Sequence, residues 1–355
     1  MNRMRKNHTK LNRNPIIIDP RLNLVYSSYF IAGLLKLNSA GIRFDVGPFS
    51  DLPQTSPENH FDHFFAFVFP SKYGPLKVVI DFRDKTEVCS EALAWADVYG
   101  VSNLEPDGNA EMKGPRAGRE EKISVLGPYF GIKLFGTLET AFLGLRNHFL
   151  SGRYTSVSLK RRLSSYRWQS VRPELSSFTS GPKDECYVFH ASTLYGKQSN
   201  SEETNKYRSA FIRAARRHAD FEGGLVARNS QYVDDFFRDV TIENGFTQEE
   251  YASKTRKSNI VFNTPSVWGC IGWKLGEYLA YGNAIISMPL NRALPLPLEH
   301  GKHIFFVESE DQIDSAVSEL MNDPGLRNRL QNGARSYFDE VCSPTASIER
   351  LITER

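Results

Sequence analysis

The chain has 355 residues, 40% of them hydrophobic and 24% charged, and a formal net charge of +3 at pH 7. That composition excludes fibrous and disordered classes, and the length exceeds what one ordinary core holds, so two domains are expected. The small net charge makes no demand for nucleic acid, and no stretch approaches the apolar run needed to span a bilayer.

The first fourteen residues, "MNRMRKNHTKLNRN", are basic and free of acids. They lack the apolar run of a secretory signal, so they read as a disordered tail, with a peripheral contact to an anionic membrane surface as the second reading. "PIIID" (15–19) predicts a buried strand, "SYFIAGLLKLNSAG" a helix stopped near Gly41, and "IRFDVG" a second strand. "FFAFVF" and "KVVIDF" are further strands, "SEALAWADVYG" a helical run capped by Ser90, and "KISVLG" another strand. Strands alternating with helices predict a doubly wound α/β domain.

Residues 151–183, rich in Ser, Arg, Gly and Pro, break the rhythm and read as an interdomain connection with a short basic helix around 160–167. The alternation restarts with "CYVFHAS", "NKYRSAFIRAARRHADF", "GGLVAR", "YASKTRKSN" and "IVFNTP". It continues through "WKLGEYLAYG", "AIISMPL" and "HIFFVES" to three closing helices. The expected organisation is a tail (1–14), a first Rossmann-like domain with the connector (15–183), a second (184–340), and a terminal helix (341–355) packing back on the first.

Cys89, Cys186, Cys270 and Cys342 lie far apart, without zinc or disulfide-framework spacing. A reducing, cytoplasmic setting follows, and no metal is expected. His60 and His63, in "ENHFDHFF", also lack metal-site spacing and read as polar surface.

Chemistry concentrates in "VWGCIGWKLGEYLAYGNAIISMPL" (267–290). A strand, a loop with Gly269 and Gly272, and a helix bearing Lys274 and Glu277 form an anion-binding arrangement. Amides at a helix start carry partial positive charge, and Lys274 adds a full one. A carboxylate such as Glu277 can accept two hydrogen bonds from the vicinal diol of a ribose. The bland reading is a first-turn Glu complementing the helix dipole.

This half resembles the donor-binding domain of two-domain glycosyltransferases of the GT-B fold, bacterial surface-polysaccharide type. The likeness rests on "SNIVFNTPSVWGCIGWKLGEYLAYGNAIISMPL" followed by "LPLEHGKHIFFVESEDQIDSAVSELMNDPGLRNRLQNGARSYF". It implies two Rossmann-like doubly wound domains facing a cleft. Glu277 would contact the ribose and Gly272 the diphosphate, with Ser192, Thr193 and Arg208 as further donor contacts. Many retaining members carry an acid where this chain has Gly269, which leans the reading toward inversion. The resemblance implies an inverting base in the first domain, and Asp19, Asp81 and Asp84 sit at expected strand ends there.

The expected function is transfer of a sugar from a nucleotide-sugar donor to a hydroxyl of a glycan, glycolipid or glycoprotein. No metal, cofactor or nucleic acid is called for. A non-catalytic nucleotide-sugar-binding subunit and a same-fold epimerase are the alternatives.

Overall fold

The computed structural model describes residues 14–52, 64–106, 120–155, 157–196, 202–227 and 234–353. Most of the basic tail and the readings at His60 and His63 lie outside them. Strands β1 (Ile16–Ile18), β2 (Ile42–Phe44), β3 (Phe64–Ser71), β4 (Gly74–Asp81), β5 (Val98–Val101) and β6 (Ile123–Val125) form one sheet in the order β2-β1-β3-β4-β5-β6. Its pairs are parallel except around β3, which runs against both β1 and β4. The cause is local. Only Lys72 and Tyr73 separate β3 from β4, too few residues for a crossover, and Gly74 at φ 122° closes the hairpin.

Helix α1 (Leu24–Leu37) opens at Asn23, whose side chain accepts from the Val25 amide, and buries Tyr29, Phe30, Ile31 and Leu34. Helix α2 (Ser90–Trp95) is shorter than its sequence suggested, and its N-cap is Cys89 rather than Ser90. The next residues, "VYGV", go into β5 because a buried slot between β4 and β6 suits β-branched and aromatic side chains.

Helices α3 (Thr137–Ser151) and α4 (Leu159–Ser170) form a hairpin, and α3 had no counterpart in the sequence reading. They meet closely: a Cβ on Gly144 would lie 3.0 Å from Leu163, and the Asn147 amide donates to the Tyr166 hydroxyl at 2.8 Å. Helix α4 is built into the first half, with buried Arg162 donating to the Pro20 carbonyl at 2.7 Å and Ser165 to Asn23 at 2.7 Å. The stretch expected as a connection with a short basic helix carries that helix, and part of it is core.

The second half has two parallel three-stranded sheets, β7 (Tyr187–Thr193), β8 (Asp220–Val226), β9 (Thr241–Ile242) and β10 (Ile260–Asn263), β11 (Ala284–Ser287), β12 (Phe305–Phe306). They abut along β7 and β10, where the Asn259 amide donates to the Tyr187 carbonyl at 2.9 Å and the Phe189 amide to Ser258 Oγ at 2.8 Å. Read across, the order is β9-β8-β7-β10-β11-β12. Chain direction across the layer reverses between β7 and β10, the place where doubly wound sheets bind ligands. Helices α5 (Glu202–His218), α6 (Gln248–Lys257), α7 (Trp273–Tyr281), α8 (Gln312–Asn322), α9 (Pro324–Tyr337) and α10 (Pro344–Thr353) complete it.

One apolar cluster joins the halves, from Ile16, Phe30 and Phe67 to Leu275, Tyr278, Ile285 and Phe338. Phe178 packs on Phe130 with ring centroids 4.5 Å apart and stacks on Tyr281 at 5.0 Å. Helix α10 lies against α1 so tightly that a Cβ on Gly33 would fall 2.2 Å from the Pro344 carbonyl oxygen. Among the described residues no helix is long and apolar enough to cross a membrane.

Candidate active site

At the carboxyl ends of β7 and β10, facing the start of α7, lies a cavity of about 440 Å³. Five residues chosen from sequence line it: Ser192, Thr193, Arg208, Gly272 and Lys274. Tyr195, Phe246, Gln248, Tyr251, Thr264 and Trp273 line it as well.

The cavity holds two cations fixed in place. Arg208, 5% exposed, donates through Nε to Thr264 Oγ1 at 2.9 Å and through Nη1 to the Thr193 carbonyl at 3.0 Å. Its guanidinium lies 4.5 Å from the centre of the Tyr195 ring. Lys274, half-buried at the first turn of α7, donates to the Ala191 carbonyl. Burial and the charge of Arg208 push its amine down to about 7, with Glu277 pulling weakly the other way. Burial, Lys274 and Arg208 together push the imidazole of His190 well below its ordinary value, so it is neutral. Its Nε2 lies 3.0 Å from Ser192 Oγ. Burial raises the Tyr195 hydroxyl, but Arg208 and Ser266 outweigh it and leave the group below its ordinary value. Cations that repel each other across a pocket, at a helix N-terminus, form a site with unmet demand for an anion.

Glu277 is 6% exposed and does not line the cavity surface. Its Oε1 accepts from Arg172 Nη2 at 2.6 Å. Burial raises its carboxyl, with Arg172 and Lys274 opposing. Arg172 arrives from the end of the connector and also donates to the Gly131 carbonyl at 3.0 Å and to Gln248. The pair thus ties the connector to α7 and stands behind Lys274.

Gly272 caps α7 with φ −83° and ψ 158°, a conformation open to any residue. Gly269 is the glycine that uses its freedom, at φ 73°, and beside it Trp268 adopts φ 58° with its side chain 59% exposed. Arg292 Nη2 donates to the Trp268 carbonyl at 2.6 Å and holds this strained turn. A side chain at position 269 would be strained by the positive φ, although its Cβ would make only ordinary contact with Arg292.

The three first-half aspartates separate by their partners. Asp19 is buried and gripped by Arg21, with Nη2 to Oδ2 at 2.7 Å. Asp81 is buried and gripped by Arg83 at 2.8 Å, with the Tyr99 hydroxyl donating to it at 2.5 Å. Both are strand-end carboxylates bonded to the amide and guanidinium two residues on. Asp84 differs. The surrounding protein raises its carboxyl above the ordinary value, only partly opposed by a hydrogen bond from the Cys270 thiol. That contact crosses from the first half to the loop before α7, next to the amide of Ile271, which donates to Asn103 at 3.0 Å.

Around Asp84, Tyr26 stacks on Phe82 at 5.4 Å and meets the Trp273 ring edge-on at 5.0 Å. The aromatic wall and Arg172 were not legible in the sequence. Their residues are scattered along the chain, in segments that only the fold brings together.

Residues 206–348 match the model of a family described as "Glycosyl transferase-like". No curated protein sequence matches. Among solved structures, the C-terminal domain of the group 1 family glycosyl transferase LpcC from Francisella tularensis is 14% identical, with a TM-score of 0.34, covering 46% of this chain and 95% of its own. HepE from Anabaena, solved with UDP-glucose, is 11% identical at a TM-score of 0.38, covering 73% and 79%. TarM from S. aureus, solved with UDP, is 11% identical at 0.38, covering 82% and 67%. At TM-scores this low, these similarities decide nothing about site or substrate. The family match falls on the half that carries the cationic cavity at a Rossmann switch point: residues 206–348 are similar to the glycosyl transferase-like family.

Proposed function

We propose that the cavity binds the donor, a nucleotide sugar, with its diphosphate against Arg208, Lys274 and the amides at the start of α7. The single observation that carries this is the placement of Arg208 and Lys274 together in the lining of one cavity at the start of α7. Ser192, Thr193 and Gly272 are assigned to the diphosphate side, while Glu277, with Arg172 behind it, is assigned to the ribose side. Departure of the nucleoside diphosphate is assisted by these groups, and no metal is assigned a part in it.

The acceptor hydroxyl is placed on the first-half side of the cleft. Asp84 is assigned as its general base, because it lies at the junction with the loop before α7 while the other two aspartates are held by arginines. Without an acid at 269, a direct inverting displacement is the stereochemistry proposed. A glycan or glycolipid acceptor in surface-polysaccharide assembly fits the family likeness.

The test is release of nucleoside diphosphate from nucleotide sugars offered with hydroxyl acceptors. Asp84→Asn is expected to lower kcat by about a hundredfold or more, with donor affinity kept. Wild-type rates in Asp84→Asn would sink its role as base. Binding without turnover under every acceptor would favour a non-catalytic subunit.

A further inference from the structure

Helix α3 has two apolar faces, and only one is used. Its inner face, with Leu143, Gly144 and Asn147, packs on α4. Leu138, Phe142, Leu145 and Phe149 follow at spacings of four, three and four, on the side opposite that inner face. Leu138 is 88% exposed, Phe142 66% and Phe149 75%. Trp168, on α4, is also exposed at 59%. A contiguous apolar stripe of this kind on a helix surface marks an interaction site.

Charge on the same hairpin selects the partner. From 137 to 171 the sequence holds six Lys or Arg, of which Arg162 is buried, and a single acid, Glu139. Arg146, Lys160 and Arg167 are exposed. Pairing two copies of this face about a twofold axis would set basic residues against basic residues. An apolar stripe on a hairpin that also carries exposed basic residues instead complements the anionic headgroups and acyl boundary of a bilayer.

We propose that the outward face of α3, with the basic residues of the α3–α4 hairpin, docks the protein on the surface of a membrane containing anionic lipids. The apolar side chains enter the acyl boundary and the basic ones remain at the headgroups. Helix α4 leads directly to Arg172, which grips Glu277 beside the cavity, so docking holds the cleft close to the lipid surface. Resting on the donor-site reading above, the acceptor is then a hydroxyl presented by a lipid-linked molecule in that surface.

The test is co-sedimentation of the full chain with vesicles of phosphatidylcholine alone and of phosphatidylcholine with phosphatidylglycerol in equal parts. The expected result is binding at least tenfold tighter to the anionic vesicles. Phe142→Ser with Phe149→Ser should lower that affinity at least tenfold, and Lys160→Glu with Arg167→Glu should lower it and flatten its salt dependence. All four side chains are exposed, and nucleotide-sugar affinity is measured in parallel as the check that the fold and donor site are intact.

The proposal is overturned if no vesicle binds, or if both variants bind anionic vesicles as wild type does. It is equally overturned if lipid-free protein is a dimer that the Phe142→Ser, Phe149→Ser variant turns into a monomer. Equal nucleotide affinity in the wild type and Lys274→Ala would remove the donor reading and leave the vesicle result standing.

Discussion

Lys274 sits where its protonation reports directly on the ligand. In the free protein its amine lies at about 7 because burial and Arg208 disfavour the charge. A diphosphate placed against it favours the charge and raises that value, so binding above pH 7 takes up a proton. The sign follows: affinity for a nucleotide sugar falls as pH rises from about 7 toward the bound-state value, by up to about tenfold per pH unit, the limit for one linked proton. Titration at pH 8 in buffers of different ionisation enthalpy should show proton uptake that Lys274→Met abolishes. Equal heats in all buffers would place Lys274 away from the diphosphate.

Arg172 and Glu277 give a second residue-scale expectation. Both side chains are largely buried, and removing one member strands the other's charge. Arg172→Ala should therefore cost about 3 kcal/mol or more in urea unfolding, whereas Glu277→Gln, which keeps a hydrogen-bonding oxygen for Arg172, should cost less. A cost below about 0.5 kcal/mol for Arg172→Ala, the range of an ordinary surface change, would show that the pair is not a tie between connector and α7.

Among the elements, the sharpest constraint is where α1 meets α10. Gly33 leaves no room for a methyl group, since its nearest neighbour would be backbone, not a movable side-chain end. Gly33→Ala should lower stability by about 1–3 kcal/mol, the range for overpacking, despite improving helix propensity. A stabilised Gly33→Ala protein would mean that α10 docks more loosely than the geometry says.

The same scale shows what was legible. β1, β7, β10 and β11 read clearly because both of their faces are buried, which leaves short, nearly continuous apolar runs. The start of α7 read clearly because Gly272, Lys274 and the small turn at Gly282 punctuate it. α3 was hidden because apolar residues on both of its faces blur the one-sided period that marks a helix. The sense of β3 was hidden because pairing direction is set by the length of the turn at Lys72 and Tyr73, not by the strand's own residues. Arg172 lay in a polar stretch whose composition suggests a linker, and its burial depends on tertiary contacts to Gly131, Gln248 and Glu277.

For the molecule as a whole, the apolar cluster shared by both halves makes them depend on each other. Although the sequence divides into two Rossmann-like units, equilibrium unfolding should appear as one cooperative transition. Trp95 reports on the first half and Trp273 on the junction, so fluorescence and far-UV circular dichroism should give coincident curves. Two resolved transitions would mean that the junction contributes little.

The cavity between β7, β10 and α7 is proposed as the donor site. The direct measurement is calorimetric titration of UDP, GDP, TDP and CMP into the wild type and Lys274→Ala. Selective binding of one nucleotide, weakened at least tenfold in Lys274→Ala with the fold intact, is the expected result. Absence of binding by any nucleotide, or equal affinity in the two proteins, would contradict it.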